Sequence, residues 1–326
     1  MKYVASLGMA FFLVAATPLT TVALQRGVNM GNMLEAPNEG DWGVFVQKEY
    51  FDLIKNADFD FIRLPVRWSG HADKSRPYTI DPVFLSRVDQ VVDWALARNL
   101  RIIIDLHHYN EISDDPWGER NTFLSIWKQI AEHYKTYPPT VIFELLNEPN
   151  SLLQASLWNQ YLGQALTIIR NSNPTRDVII GPVQWNSFTF VSELDLPNDP
   201  HLVATFHYYL PLDFTHQGLD EVIKGSGRWL ATIWTATDDE KAEIVRNFDY
   251  VADWSKRHGN IPILLGEFGV YSRAPQDSRI RWTMFVREQA EAHGFAWSYW
   301  EFGSTFGVYD PAAEAWHRDL LKALIP

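Results

Sequence analysis

The sequence predicts a single (β/α)8 barrel with its chemistry at the C-terminal ends of the strands. Three observations carry this. Eight short apolar runs rich in Val, Ile and Phe alternate with longer segments of helical period. No G-x-G-x-x-G or Walker-type phosphate loop is present to open a doubly wound sheet instead. Polar residues gather where the apolar runs stop, which is where barrel enzymes build their sites.

The strand candidates are QRGVNM from Gln25, FDFIRLPV from Phe59, RIIIDLHH from Arg101, VIFELLNE from Val141, DVIIGPV from Asp177, LVATFHYY from Leu202, IPILLGEFG from Ile261 and GFAWSYWEF from Gly294. Between them apolar residues recur at helical spacing, as in Phe123, Ile126, Trp127, Ile130, Ala131 and Tyr134, and again in Trp158, Tyr161, Leu162, Ala165, Leu166 and Ile169. Such stripes pack on the outside of a barrel. The longest connection, residues 210–240, separates strands six and seven and should overhang the barrel mouth with His216, Trp229 and Trp234.

At 326 residues, 46% hydrophobic and 21% charged, the chain can bury a large core. A net charge of -12 without a basic run argues against nucleic acid as a partner. The absence of Cys removes thiol nucleophiles, zinc ribbons, iron–sulfur clusters and disulfides together. Fourteen Trp against 18 Gly is a high ratio, and flat aromatic faces that do not fill the core are suited to stacking on sugar rings.

Residues 1–23 carry Lys2, an apolar stretch around Met9 to Ala16, and TTVA ending at Ala23. That is the pattern of a secretory signal, with cleavage expected after Ala23. The apolar stretch is shorter than a bilayer span. The division expected is therefore a signal peptide at 1–23 and a catalytic barrel at 24–326, exported to the periplasm or the medium, off the membrane once cleaved, and acting as a monomer.

The polar residues closing the strands are Arg63, His107 and His108, Asn147 and Glu148, His207 and Tyr209, Glu267 and Trp300, with Asn32 and Glu35 just past strand one. Glu148 and Glu267 each follow an apolar run, and an unpartnered buried carboxylate is costly. Pairing with Arg63 is one explanation for each. Two carboxylates facing across a barrel mouth also suit glycoside hydrolysis. Pro149 cannot donate a ladder bond, so it should stop strand four and leave Glu148 at the rim. On a regular strand His107 and His108 would point to opposite sides, and no third ligand joins them, so no metal site is expected.

The strings RLPV, DLHHY, LLNEP, FHYY, LGEFG and SYWEF, in this order on successive strands, resemble glycoside hydrolase family five, in the clan of retaining (β/α)8 glycosidases. GVNMGNMLEAPNEGDWG from Gly27 is similar to the opening of bacterial endoglucanases of that family. The resemblance implies that Glu148 is the general acid/base and Glu267 the nucleophile. It implies that Arg63 positions the nucleophile, that Asn147 meets the sugar 2-hydroxyl, and that His207 stands beside the acid/base. Tyr209 would lie against the nucleophile, with His107 and Trp300 lining the subsite next to the cleavage point. His108, Trp185, His216, Asn32 and Glu35 match further substrate-touching positions, each with packing or capping as the alternative. The implied function is metal- and cofactor-independent endo-hydrolysis of a β-1,4-glucan of the cellulose type. β-Mannan, xyloglucan and mixed-linkage glucan are alternative substrates. A non-catalytic polysaccharide-binding barrel would also keep the Trp platforms, but it has no need of both glutamates.

Overall fold

The computed structural model describes residues 24–326; the expected signal segment, 1–23, lies outside the described residues. Eight parallel strands close into a barrel in sequence order: β1 (Arg26–Asn29), β2 (Phe61–Leu64), β3 (Arg101–Asp105), β4 (Val141–Glu144), β5 (Val178–Ile180), β6 (Leu202–Tyr208), β7 (Ile263–Phe268) and β8 (Ala296–Tyr299). Each strand lies within one of the eight apolar runs.

The two-residue alternation of the strands divides the barrel interior into layers. The lower layer is apolar and made of Phe61, Ile103, Ile142, Ile179, Val203 and Leu264. Gly27 leaves space for it, because a Cβ there would come within 2.3 Å of the Phe61 ring. Two residues further along the same strands lie Asn29, Arg63, Asp105, Glu144, Thr205 and Ser298, all 0 or 1% exposed. The floor of the barrel mouth is thus a buried polar layer resting on a hydrocarbon one.

The outward-facing residues of the strands, Ile62, Ile102, Ile104 and Phe143 among them, join the helices in one large core. The helix Pro116–His133 starts where Asp115 accepts from the Gly118 N–H and buries Phe123, Ile126, Trp127, Ile130 and Ala131. Two core tryptophans also tie helices to the sheet by hydrogen bonds: Trp127 Nε1 donates to Leu145 O (2.9 Å) and Trp158 Nε1 to Gly181 O (2.8 Å). Among the described residues no helix is long and apolar enough to cross a membrane.

The connection from β6 to the helix Asp238–Arg257 holds the short helix Leu212–Thr215 and a 3-10 turn at Ser226–Trp229. It is anchored from within. Trp234 is buried against Phe285, and the Gln217 amide donates to Phe214 O and Thr232 O. Trp234 therefore holds the loop down, and Trp229 stacks under Arg228.

Candidate active site

Arg63, 0% exposed, is the centre of the polar layer. Its Nε and Nη2 grip Glu144 in a bidentate pair, each 2.7 Å long. Nη1 donates to Asn29 Oδ1 (2.9 Å) and to Glu267 Oε1 (2.7 Å); Nη2 donates to Asn147 Oδ1 (2.8 Å) and lies 2.8 Å from Asp105 Oδ2. One guanidinium thereby joins β1, β2, β3, β4 and β7, and its planar fork makes the geometry rigid. Asn29 completes the network by donating through Nδ2 to Gly266 O and to Ser298 Oγ, both at 3.0 Å.

Glu267 and His207 are brought side by side by an irregularity in β7. The register runs Phe206 to Leu265 and then His207 to Glu267, so Gly266 is the extra residue of a bulge. Only glycine fits there, since a Cβ would come within 2.6 Å of Thr205 Oγ1 and 3.1 Å of His207 Nε2. Tyr209 OH donates to Glu267 Oε2 (2.9 Å), leaving both carboxylate oxygens of Glu267 occupied. Glu148 lies beyond the end of β4 in a left-handed conformation (φ 49°), with Oε1 2.8 Å from His207 Nδ1. One oxygen of Glu148 lies within 4.8 Å of one of Glu267, with His207 Nδ1 between them.

The two glutamates differ electrostatically. Burial pushes Glu148 up to about 7; Arg63 opposes this, while Glu144 and Asp105 add to it. Burial raises Glu267 too, and Glu148 adds to this, while the Arg63 cation and the Tyr209 hydroxyl favour its charged form. His207 is lowered by burial and is neutral at pH 7. Glu148 can therefore hold a proton near neutral pH, as an acid requires, while Glu267 is held directly by the Arg63 cation, as a nucleophile requires. By distance alone Glu148, His207 and Glu267 could surround a cation. Apart from Glu148 Oε2, their donor atoms are already engaged with one another, with Tyr209 and with Arg63, whose own positive charge disfavours a metal at this point.

The remaining sequence-predicted residues divide between the mouth and the scaffold. Asn147, its Oδ1 held by Arg63, turns its amide nitrogen away from the network. His107 is anchored through Nδ1 to Asp105 Oδ2 (2.9 Å), and its ring lies parallel to that of Trp300 at 5.7 Å. His108 does not point to the opposite side from His107. Both lie past the end of β3, His108 has φ 49°, and their rings meet edge to face at 4.6 Å. His216 packs on Tyr209 and Phe306, and Trp185 is 54% exposed on the loop after β5.

Glu35 departs from the substrate-touching position expected for it. It is 0% exposed, its carboxylate accepts from the backbone N–H groups of Asn32 and Met33, and burial lifts it to about 8. It therefore closes the turn after β1. Asn32 is held in that turn at φ 64°.

Sequence reasoning missed Asn29, Asp105, Glu144, Asn186 and Trp42. The first three carry a usable signal, since each lies two residues beyond an inward-facing residue of its strand. Trp42 is 41% exposed and edge-on to His108 at 5.5 Å. Its position depends on a loop without regular structure.

Removing Arg63 would leave Glu144, Asp105 and Glu267 buried without their common cation. Arg63→Ala should cost about 3 to 5 kcal/mol in denaturant unfolding, with Arg63→Lys recovering only part of it because one ammonium cannot replace the fork. A loss below about 1 kcal/mol would show that the network carries no such weight.

A family model described as cellulase (glycosyl hydrolase family 5) matches residues 23–305. The chain is 42% identical over 293 residues to Endoglucanase H of Acetivibrio thermocellus, aligned over 90% of this chain and 31% of that protein, so it spans about a third of that relative's length. Among solved structures, Thermotoga maritima Cel5A in complex with cellobiose is 45% identical with a TM-score of 0.90, covering 93% of this chain and 97% of the other. The same protein with mannotriose is 44% identical, with a TM-score of 0.90 and the same coverage. The cellulose synthase subunit Z of Clostridioides difficile is 41% identical, with a TM-score of 0.90 over 93% of this chain and 100% of that one. The chain belongs to the cellulase family of glycoside hydrolases, glycosyl hydrolase family 5.

Proposed function

We propose that this chain cleaves internal β-1,4-glucosidic bonds of cellulose-type glucans with net retention of configuration. Glu267 acts as nucleophile and Glu148 as general acid and then base. The observation that carries the reading is the approach of the two carboxylates to within 4.8 Å. An inverting enzyme keeps its carboxyl groups roughly 6.5 to 9.5 Å apart to hold a water between them, whereas retaining enzymes bring them to about 5 Å.

In the first step a Glu267 oxygen attacks C1 while the proton of Glu148 passes to the departing glycosidic oxygen. The C1–O bond to the leaving sugar breaks and an ester to Glu267 forms. In the second step Glu148, now a carboxylate, takes a proton from water as the water oxygen attacks C1 and frees Glu267. Arg63 and Tyr209 keep the nucleophile charged and oriented, and His107 and Trp300 offer a wall for the sugar ring.

The cellulose-type substrate rests on the family and on endoglucanase relatives. β-Mannan is the second reading, because a relative of 44% identity has been crystallised with mannotriose. Relative initial rates on carboxymethylcellulose and glucomannan separate the two. All residues assigned to the reaction come from one barrel, which supports action as a monomer. We also propose that residues 1–23 direct export. Exported protein should begin at Leu24, and exported protein that begins at Met1 would end that reading.

The assignment of the glutamates is tested by azide rescue. Glu267→Ala with an activated β-cellobioside should give an α-glycosyl azide, because azide must then attack directly. Glu148→Ala should still form the intermediate and give the β-azide. The opposite stereochemistry would exchange the two roles, and an α-configured first product from the unmodified enzyme would overturn retention.

A further inference from the structure

The loop after β5 runs through three successive left-handed residues, Gln184, Trp185 and Asn186, with φ of 58°, 59° and 51°. Asn accepts this region more readily than most residues; Gln and Trp do not. Trp185 is 54% exposed, while Asn186 is 0% exposed and turned into the barrel. There its Nδ2 lies 3.3 Å from His207 Nε2, and Ser187 pairs with His207 through the backbone. Its Oδ1 is packed over Gly181, where a Cβ would come within 2.4 Å of it, and has no hydrogen-bond partner.

With its amide in this orientation Asn186 Nδ2 donates to His207 Nε2, and the single proton of the neutral ring then belongs on Nδ1. Nδ1–H then donates to Glu148 Oε1 at 2.8 Å. An oxygen receiving that bond cannot direct its own proton along the same line.

We propose that Asn186 is a positioning residue that locks His207 in the Nδ1–H tautomer and so directs the acid proton of Glu148 onto Oε2, the oxygen left for the glycosidic bond. The inference deepens the reading of Glu148 as general acid and rests on it. In each turnover the Oε2–H bond breaks as the leaving sugar gains the proton, and Nδ1–H remains to stabilise the carboxylate that results. With the lock removed, the proton can settle on Oε1 against a bare Nδ1, where no substrate can reach it.

The tautomer can be read without any turnover, which separates this inference from the glycosidase reading itself. Nitrogen NMR of histidine-labelled protein, with the His207 signals identified by their loss in His207→Gln, should show the proton on Nδ1 and Nε2 bare. A proton on Nε2 would overturn the proposal. The kinetic arm uses Asn186→Ala, which removes the donor, and Asn186→Gly, which removes it and also suits the backbone. Both should lose about a hundredfold on glucan, which needs the acid, and less than about threefold in glycosylation by a 2,4-dinitrophenyl cellobioside, whose leaving group departs unprotonated. The ratio of the two rates does not depend on the fraction folded. Equal losses on both substrates, or none on either, would overturn the proposal.

Discussion

One guanidinium decides what the other polar groups in this barrel can do. Arg63 is out of contact with water, and its donors are taken by Glu144, Asn29, Asn147 and Glu267, with Asp105 in ion-pair contact. A cation in such a place is tolerated only if it is fully paired. The carboxylates around it outnumber it, so they cannot all carry a full charge at once. Asp105 is pushed up to about 6 and Glu148 to about 7, each chiefly by burial. Glu267 accepts directly from Arg63, whereas Glu148 has no bond to it. The electrostatic difference between the two glutamates follows their distance from one side chain.

The backbone supports this arrangement at some cost. Six left-handed residues other than glycine lie around the mouth, at Asn32, His108, Glu148 and the run from Gln184 to Asn186. Each can store on the order of 1 to 3 kcal/mol, least where the residue is Asn. What holds them is the rigid barrel below, with its apolar layer and helices pinned by Trp127 and Trp158. The bulge at Gly266 works in the same way, re-aiming one strand so that His207 and Glu267 share a level.

Much of this could be read from the chain alone. The eight strands and the residues at their ends follow from apolar runs that stop at polar groups. Asp105 and Glu144 were hidden because they end short strands inside longer hydrophobic strings, RIIID and VIFE, where the eye follows the apolar residues. The alternation from Ile103 to Asp105 and from Ile142 to Glu144 would have revealed them. Glu35 misled for the opposite reason. It follows strand one closely, but the turn needs an acceptor for two N–H groups and folds the carboxylate inward. The adjacency of the His107 and His108 rings, and the inward turn of Asn186, depend on backbone angles that residue types do not announce.

The most direct test of this account is the titration of the Glu148 and Glu267 carboxyl carbons, followed by NMR in the unliganded protein, with assignments from Glu148→Gln and Glu267→Gln. If Arg63 divides the roles as described, Glu148 titrates near 7, and Glu267, which accepts directly from Arg63, loses its proton at lower pH. A Glu267 that titrates above Glu148, or a Glu148 that behaves like an exposed glutamate, would contradict it.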